Sequence, residues 1–258
     1  MQDNKKALAG KVALVSGGSG WIGAGIARHL AAAGAKVAIN FHRNDAAAQK
    51  VVDAIKADGG TAIAIKGDIT NEAAVKKFVG EIGSAIGPVD ILVNNALDST
   101  VPWAPVEQQT WEHYLGHLDY CVKAPLFLLK ATVAHMKAAK FGRVINIGSE
   151  AFDLADAQNG QYVAAKGAML GLTRSWANEL GSFGITVNTV APGWIATEGH
   201  GVENGQPNPT LKGYLSDISL GRVGTPDDVG AVVTFLCGEG GAFVTGQRIA
   251  VNGGKTKL

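Results

Sequence analysis

Val12-Ala13-Leu14-Val15-Ser16-Gly17-Gly18-Ser19-Gly20-Trp21-Ile22-Gly23, followed by the alanine-rich stretch 24–33 and then Gly34, is the segment that decides the fold. Four aliphatic residues form a short buried strand, the glycine cluster forms a tight turn, and the alanine-rich run forms a helix that Gly34 ends. Glycine accepts positive φ and lets a ligand approach the backbone closely, while the free amides of a helix N-terminus attract negative charge. A glycine cluster by itself also suits an ordinary strand-to-helix connection. The pattern of the remaining chain selects between the two readings.

Short aliphatic runs recur at 37–41, 63–65, 91–93, 144–147, 186–190 and 248–251, with helix-length stretches between them. That rhythm is the mark of a parallel sheet, and strands that are apolar throughout require helices on both faces. The expected fold class is α/β: a Rossmann-type doubly wound parallel sheet of about seven strands with right-handed crossovers and ligands beyond the strands' carboxyl ends. At the first strand of such a series, the glycine turn reads as a pyrophosphate cradle formed by Ser16, Gly17, Ser19, Gly20, Trp21, Ile22 and Gly23.

The 258 residues, 47% of them apolar, are expected to form one large domain, residues 1–258. Lys and Arg number 23 against 22 Asp and Glu, so no global basic field draws the chain to nucleic acid or anionic lipid. Cys121 and Cys237 lie far apart and make neither a metal pair nor a secreted disulfide framework, which points to a reducing cytoplasm and to no metal site. Residues 1–11 are polar and no apolar run approaches a membrane span, so no membrane association is expected. The segment 198–213, rich in Gly, Pro and Asn, reads as a long loop: a substrate lid, or an inert surface insertion.

At the end of the second strand, Asn40-Phe41-His42-Arg43 offers no carboxylate to an adenosine ribose but does offer a guanidinium to a 2′-phosphate, which favours NADP(H) over NAD(H). The other reading of Arg43 is a solvated loop charge. Asp68, followed by Ile69, is placed either to bond an adenine edge or to cap the helix that begins near residue 71. Tyr162-Val163-Ala164-Ala165-Lys166 sets a phenol and an ammonium four residues apart, on one helix face. A cation beside a phenol favours the phenolate and suits tyrosine to proton exchange near neutral pH; the lysine is also suited to hold a ribose. Ser149, after the strand at 144–147, stands where an α/β sheet presents reactive groups.

With these motifs in order, the whole chain resembles the short-chain dehydrogenase/reductase family, in its single-domain branch and in the manner of 3-oxoacyl-acyl-carrier-protein reductases. Asn94-Asn95-Ala96 after the fourth strand, Asn188 in the sixth, and Pro192-Gly193-Trp194-Ile195-Ala196-Thr197 after it match further family motifs. The resemblance implies an NADP(H)-dependent oxidoreductase acting on a carbonyl or a secondary alcohol, with Ser149, Tyr162 and Lys166 catalytic. It implies that Asn95 and Ala96 line the cofactor, that Pro192, Gly193, the Ile195 backbone and the Thr197 hydroxyl clamp the nicotinamide carboxamide, and that the protein is a homotetramer. The tetramer contacts would come from helices around 111–140 and 161–180 and from the last strand.

Three positions depart from the family pattern. Trp21 stands where the middle glycine is usual, and it either stacks on the cofactor or packs on the following helix. Leu97 replaces the glycine after Asn-Asn-Ala, which is expected to constrain the backbone there. Counting back from Ser149, Cys121 falls where an asparagine is usual, although 111–120 looks longer than the family norm. Two rival functions remain open: a redox-inactive lyase or dehalogenase on the same scaffold, or a cofactor-binding sensor. Trp103, Asp153, Leu154 and Trp194 are expected to border a mainly apolar pocket for a small-molecule substrate, with 3-oxoacyl thioesters, small ketones and sugars as candidates.

Overall fold

The computed structural model describes residues 6–198, 201–203, 206–207 and 211–257. The first half alternates strand and helix: β1 (Val12–Val15), α1 (Trp21–Ala32), β2 (Lys36–Phe41), α2 (Asp45–Ala57), β3 (Thr61–Lys66), α3 (Glu72–Ala85), β4 (Ile91–Asn94) and α4 (Trp111–Leu118). A π-helical turn (Asp119–Lys123) joins α4 to α5 (Ala124–Ala139), and β5 (Gly142–Ile147), α6 (Ala151–Leu154), α7 (Gly160–Leu180) and β6 (Ile185–Pro192) come next. Beyond them lie β7 (Thr197–Glu198), β8 (Gly201–Glu203), β9 (Gln206–Pro207), α8 (Leu211–Ser216), α9 (Pro226–Cys237) and β10 (Arg248–Val251).

Seven strands form one parallel sheet in the order β3-β2-β1-β4-β5-β6-β10. The seven runs read from the sequence are these strands, and the doubly wound α/β class holds. Alternation along each strand explains the layers. Ala13, Val15, Val37 and Ile39 pack with Ile26 and Leu30 of α1, Val52 and Ile55 of α2, and Val233 of α9. Val12, Leu14, Leu92 and Val144 face the other way, against Phe78 of α3, Leu128 of α5 and Trp176 of α7. Both faces are covered, so continuous aliphatic runs are what burial demands.

Strand order reverses between β1 and β4, which leaves a crevice beyond their carboxyl ends. The glycine turn and the segment after Asn94 both open into it. The loop expected at 198–213 is not structureless in its described parts. β7, β8 and β9 pair as a small separate sheet and α8 begins at Leu211, so the backbone satisfies much of its own hydrogen bonding. Residues 199–200, 204–205 and 208–210 of that segment lie outside the described residues. Among the described residues, no helix is long and apolar enough to cross a membrane.

The N-terminus of α9 anchors the end of the chain to the sheet. Thr225 caps it, Pro226 opens it and Asp228 closes a reciprocal capping box. Arg222 grips the two Asp228 oxygens at 2.7 Å each. This guanidinium, together with the Thr225 hydrogen bonds, holds the carboxyl well below the usual carboxylate range. A depressed folded value means stability present above the unfolded pKa and lost on acidification. Asp228→Asn should therefore lower unfolding stability in urea by about 1 kcal/mol at neutral pH. That deficit should persist down to about pH 4 and shrink below it.

Candidate active site

The crevice is built from the strand ends inward. Ser16, the first residue after β1, is buried and its hydroxyl joins the two strands at the switch point. Oγ donates to Val93 O (3.2 Å) and accepts from the amides of Asn95 (2.9 Å) and Ala96 (3.2 Å). The Asn95 side-chain amide donates to Ser16 O (3.0 Å) and Gly17 O (3.2 Å). The expected ribose-lining residue thus spends its donors holding the turn.

Glycine is required at two of the turn positions. Gly17 has φ of +62°, and a Cβ there would lie 2.9 Å from Ala96 Cα. At Gly23 a Cβ would meet Gly17 O at 2.4 Å. Gly20, by contrast, is the N-cap of α1 at φ −86°, with room for a side chain. No side chain caps α1 and no acidic residue lies in its first turn, so its leading amides face the crevice unneutralised. This cradle fits a pyrophosphate. Trp21 is 57% exposed, so it does not pack into the helix layer. Leu97 is partly exposed and its φ is not positive, so the missing glycine leaves no strain.

Arg43 lies exposed in the loop between β2 and α2. Asp68 does not cap α3: Asn71 does, accepting from the Ala74 amide, because Asp68 is occupied with both the amide and the hydroxyl of Thr70 at 2.8 Å. Burial opposes its charge, but the Thr70 bonds, with His42 and Lys123 nearby, hold its carboxyl below the ordinary value. Ile69 is buried beside it.

At the other end of the crevice, Pro192 ends β6, and Ile195 is buried and bridged to Gly224. The Thr197 hydroxyl is enclosed with no hydrogen-bond partner among the described residues, as a group awaiting a ligand would be. The residues present therefore fit a dinucleotide at both ends: a glycine cradle at the start of α1 and an unpaired hydroxyl at Thr197. Asn188 has a different use, tying β6 to the 244–247 turn through Val244 O (2.7 Å) and the Gln247 amide (3.0 Å).

Between these ends, Tyr162 and Lys166 of α7 lie against the end of β5, and Ser149 follows that strand two residues on. Ser149 Oγ accepts from the Ala151 amide (3.1 Å), which leaves its hydroxyl proton free to donate. Arg248 fixes the serine's carbonyl at 3.1 Å and pairs with Asp153 in a buried ion pair. Asp153 is thereby committed to a structural pair and not to a pocket wall. Lys166 is buried and donates to Ile147 O at 2.7 Å, with its ammonium 5.5 Å from the centre of the Tyr162 ring. Burial pushes this ammonium down, but the Cys121 thiol and the Tyr162 phenol beside it outweigh that and raise its pKa.

A linked pair, Glu150 with Tyr214, and one single residue escaped the sequence reading. Glu150, next to Ser149, is buried against Asn252, and burial raises its carboxyl pKa although Asn252 and Lys255 oppose the shift. Tyr214 of α8 donates to it and also accepts from the Trp194 amide (2.9 Å), so α8 is tied to the nicotinamide end. The other is His117, buried with its ring edge-on to Tyr162 at 5.3 Å between centroids.

Comparison with known proteins agrees with this geometry. The family model described as Enoyl-(Acyl carrier protein) reductase matches residues 18–256. A 3-oxoacyl-[acyl-carrier-protein] reductase of Synechocystis sp. is 36% identical over 250 residues, covering 96% of this chain and 98% of the relative. A hydroxynaphthalene reductase-like protein of Metarhizium majus is 36% identical over 264 residues, covering 98% of this chain and 97% of the relative. A blue fluorescent protein from a metagenomic library, solved in complex with NADPH, superposes with a TM-score of 0.86 at 36% identity, covering 97% of this chain and 100% of the other. The chain belongs to the short-chain dehydrogenase/reductase family. It is an oxidoreductase of that family, an enzyme of alcohol and carbonyl groups that binds a nicotinamide cofactor.

The glycine turn makes different demands at different positions, and these are separable by substitution. Gly23→Ala should weaken binding of the nicotinamide cofactor by roughly tenfold or more, about 1.4 kcal/mol. Gly20→Ala should leave both binding and thermal stability within about 0.5 kcal/mol of the parent. Fluorescence titration and thermal melts of the two variants check the contrast.

Proposed function

We propose that this chain is an NADPH-dependent carbonyl reductase in which Tyr162 is the proton donor, Ser149 the second hydrogen-bond donor to the substrate oxygen, and Lys166 the cation beside them. The observation that supports the reading is a buried ammonium beside a phenol on α7, hydrogen-bonded to the end of β5 two residues before a serine whose hydroxyl proton is uncommitted. When bound, the nicotinamide supplies the hydride that reaches the carbonyl carbon. Tyr162 gives its phenolic proton to the carbonyl oxygen, which becomes the alcohol. Ser149 donates to the same oxygen and polarises it, a preorganised donor fixed by the Ala151 amide and Arg248. Lys166 spends one donor on Ile147 O and keeps two for the tyrosine and the cofactor ribose.

Arg43 is the residue we assign to the 2′-phosphate. Supporting this are its exposed place after β2, the absence of a carboxylate at 40–43, and the NADPH held by the metagenomic relative. For substrate we favour a 3-oxoacyl thioester or a hydrophobic ketone over a sugar. Exposed Leu97, Trp103 and Phe152 give the surroundings an apolar character, and Pro102, next to Trp103, accepts from Gln161 beside the tyrosine (3.0 Å). The segment 198–213 is assigned as the lid over this pocket, its far end held by the Tyr214–Glu150 hydrogen bond. A homotetramer fits the exposed Trp111, Leu115 and Leu126 along α4 and α5.

Following NADPH and NADH oxidation against ketones, 3-oxoacyl thioesters and sugars tests these assignments together. Tyr162→Phe should lose turnover by a factor on the order of 10²–10⁴ while still binding NADPH. Wild-type turnover in that variant would overturn the reading. Arg43→Ala should raise the KM for NADPH about tenfold and leave that for NADH nearly unchanged, since only the former has the phosphate to pair.

A further inference from the structure

His117 is a buried titratable side chain against Tyr162 to which carbonyl reduction as proposed gives no task. It stands in the last turn of α4, one residue before Leu118 and the π-helical turn Asp119–Lys123. Only 5% of it is exposed. Its ring meets that of Tyr162 edge to face, at 5.3 Å and 67°. Its Nδ1 is enclosed and has no hydrogen-bond partner among the described residues.

A fold gains little from an imidazole in such a place. Leucine or phenylalanine would fill the space without leaving a buried nitrogen unsatisfied. An unpaired buried polar atom against the proton donor points to a partner that comes and goes during turnover. The π-helical turn agrees, since such turns concentrate at functional sites. It also explains the position: the wide turn shifts the register between α4 and α5, so that the ring of residue 117 is the one brought to Tyr162.

The charged and titratable groups acting on His117 come from three elements. Lys166 and Tyr162 face it from α7, Asp98 from the segment after β4, and His113 from one turn earlier on its own helix. Burial, the Lys166 ammonium and His113 push the imidazole pKa down, and Asp98 opposes them only in part. The ring is therefore neutral at neutral pH, with one nitrogen that accepts and one that donates.

We propose that His117 is the proton-relay residue of this enzyme, returning a proton from solvent to the Tyr162–Lys166 pair after each reduction. The balance is simple. Tyr162 loses its proton to the substrate oxygen, and the O–H bond of the new alcohol forms. The imidazole takes up one proton from water at one nitrogen and releases one from the other toward the pair. The phenol is restored, and no electrons move in this step. The proposal rests on the assignment of Tyr162 and Lys166 as the reacting pair. It gives this chain a titratable group where counting from Ser149 gave Cys121, whose thiol is buried with Ala165 and Met169.

The test uses the full chain with NADPH and its best ketone substrate. His117→Ala should lower kcat at least tenfold with the Kd for NADPH unchanged, move the limb of the pH profile, enlarge the solvent isotope effect, and recover on addition of imidazole. His117→Gln keeps the size and a hydrogen-bonding end but cannot shuttle a proton, so it should show the same loss. A fully active His117→Gln with the parental pH profile overturns the relay, and so does a folded His117→Ala with unchanged kcat. An activity-free readout separates this from the parent reading. In cofactor-free protein, NMR titration of the His117 ring should move to higher pH in Lys166→Met, and an unmoved titration overturns the relay even if the enzyme is an active reductase. Failure of the wild type to oxidise NADPH with any carbonyl falls on the parent reading and takes the relay with it.

Discussion

The Ser16 hydroxyl and the adjoining glycine turn set the geometry of everything at the carboxyl end of the sheet. One oxygen donates to Val93 and accepts from Asn95 and Ala96, so the exits of β1 and β4 are held at a fixed distance where the strand order reverses. This has two consequences. The turn can be this tight only if Gly17 and Gly23 carry no side chain, and α1 must then point its uncapped N-terminus at the crevice. An anion site arises here from backbone packing, before any charged residue is considered. Trp21 is compatible with this because it sits at the first helical position, on the exposed side, and not where backbone meets backbone.

The second half of the site depends on a different device, the attachment of α7 to the end of β5. Lys166 reaches Ile147 O through an enclosed hydrogen bond, and that single contact sets the height of Tyr162, one turn earlier on the helix, above the strand end. Ser149 lies two residues beyond the same carbonyl. Its backbone is held by Arg248 from β10, itself fixed by Asp153. The hydroxyl, the phenol and the ammonium are thus positioned by main-chain acceptors and one buried ion pair. Such supports are less easily displaced than exposed side-chain contacts, and they suit a site whose acceleration comes from positioning.

The sheet was legible in the sequence because each strand is an aliphatic run buried on both faces. Strand ends were less so: Lys36, Thr61 and Lys66 belong to strands but are exposed, and polar residues at strand ends carry no burial signal. The proximity of Tyr162 to Lys166 was legible through spacing. Asn95 was legible as a position, but its amide faces the glycine turn, a preference set by two carbonyls more than seventy residues away. Glu150 and Tyr214 could not be paired from the sequence, since 64 residues separate them and the stretch just before Tyr214 reads as a loop. Of the two readings of Asp68, the helix cap falls away, because Asn71 caps α3 and Asp68 has a nearer partner in Thr70.

The helical stretch from Trp111 to Ala139 shows the limit most clearly. Its sequence reads as helical, yet it contains a π-helical turn, which has no reliable sequence signature. Inserting one residue into a helix rotates everything before it by about 100° relative to everything after it. Counting backward from Ser149 arrives at Cys121, inside that turn and four residues after His117. Cys121 does face the site, but as a fully buried thiol whose effect is to help hold the charge on Lys166. The group able to exchange a proton lies one turn further on, across the irregularity. Cys121 keeps the backbone carbonyl that an asparagine would offer there, and the relay we propose adds a side chain from the turn before it.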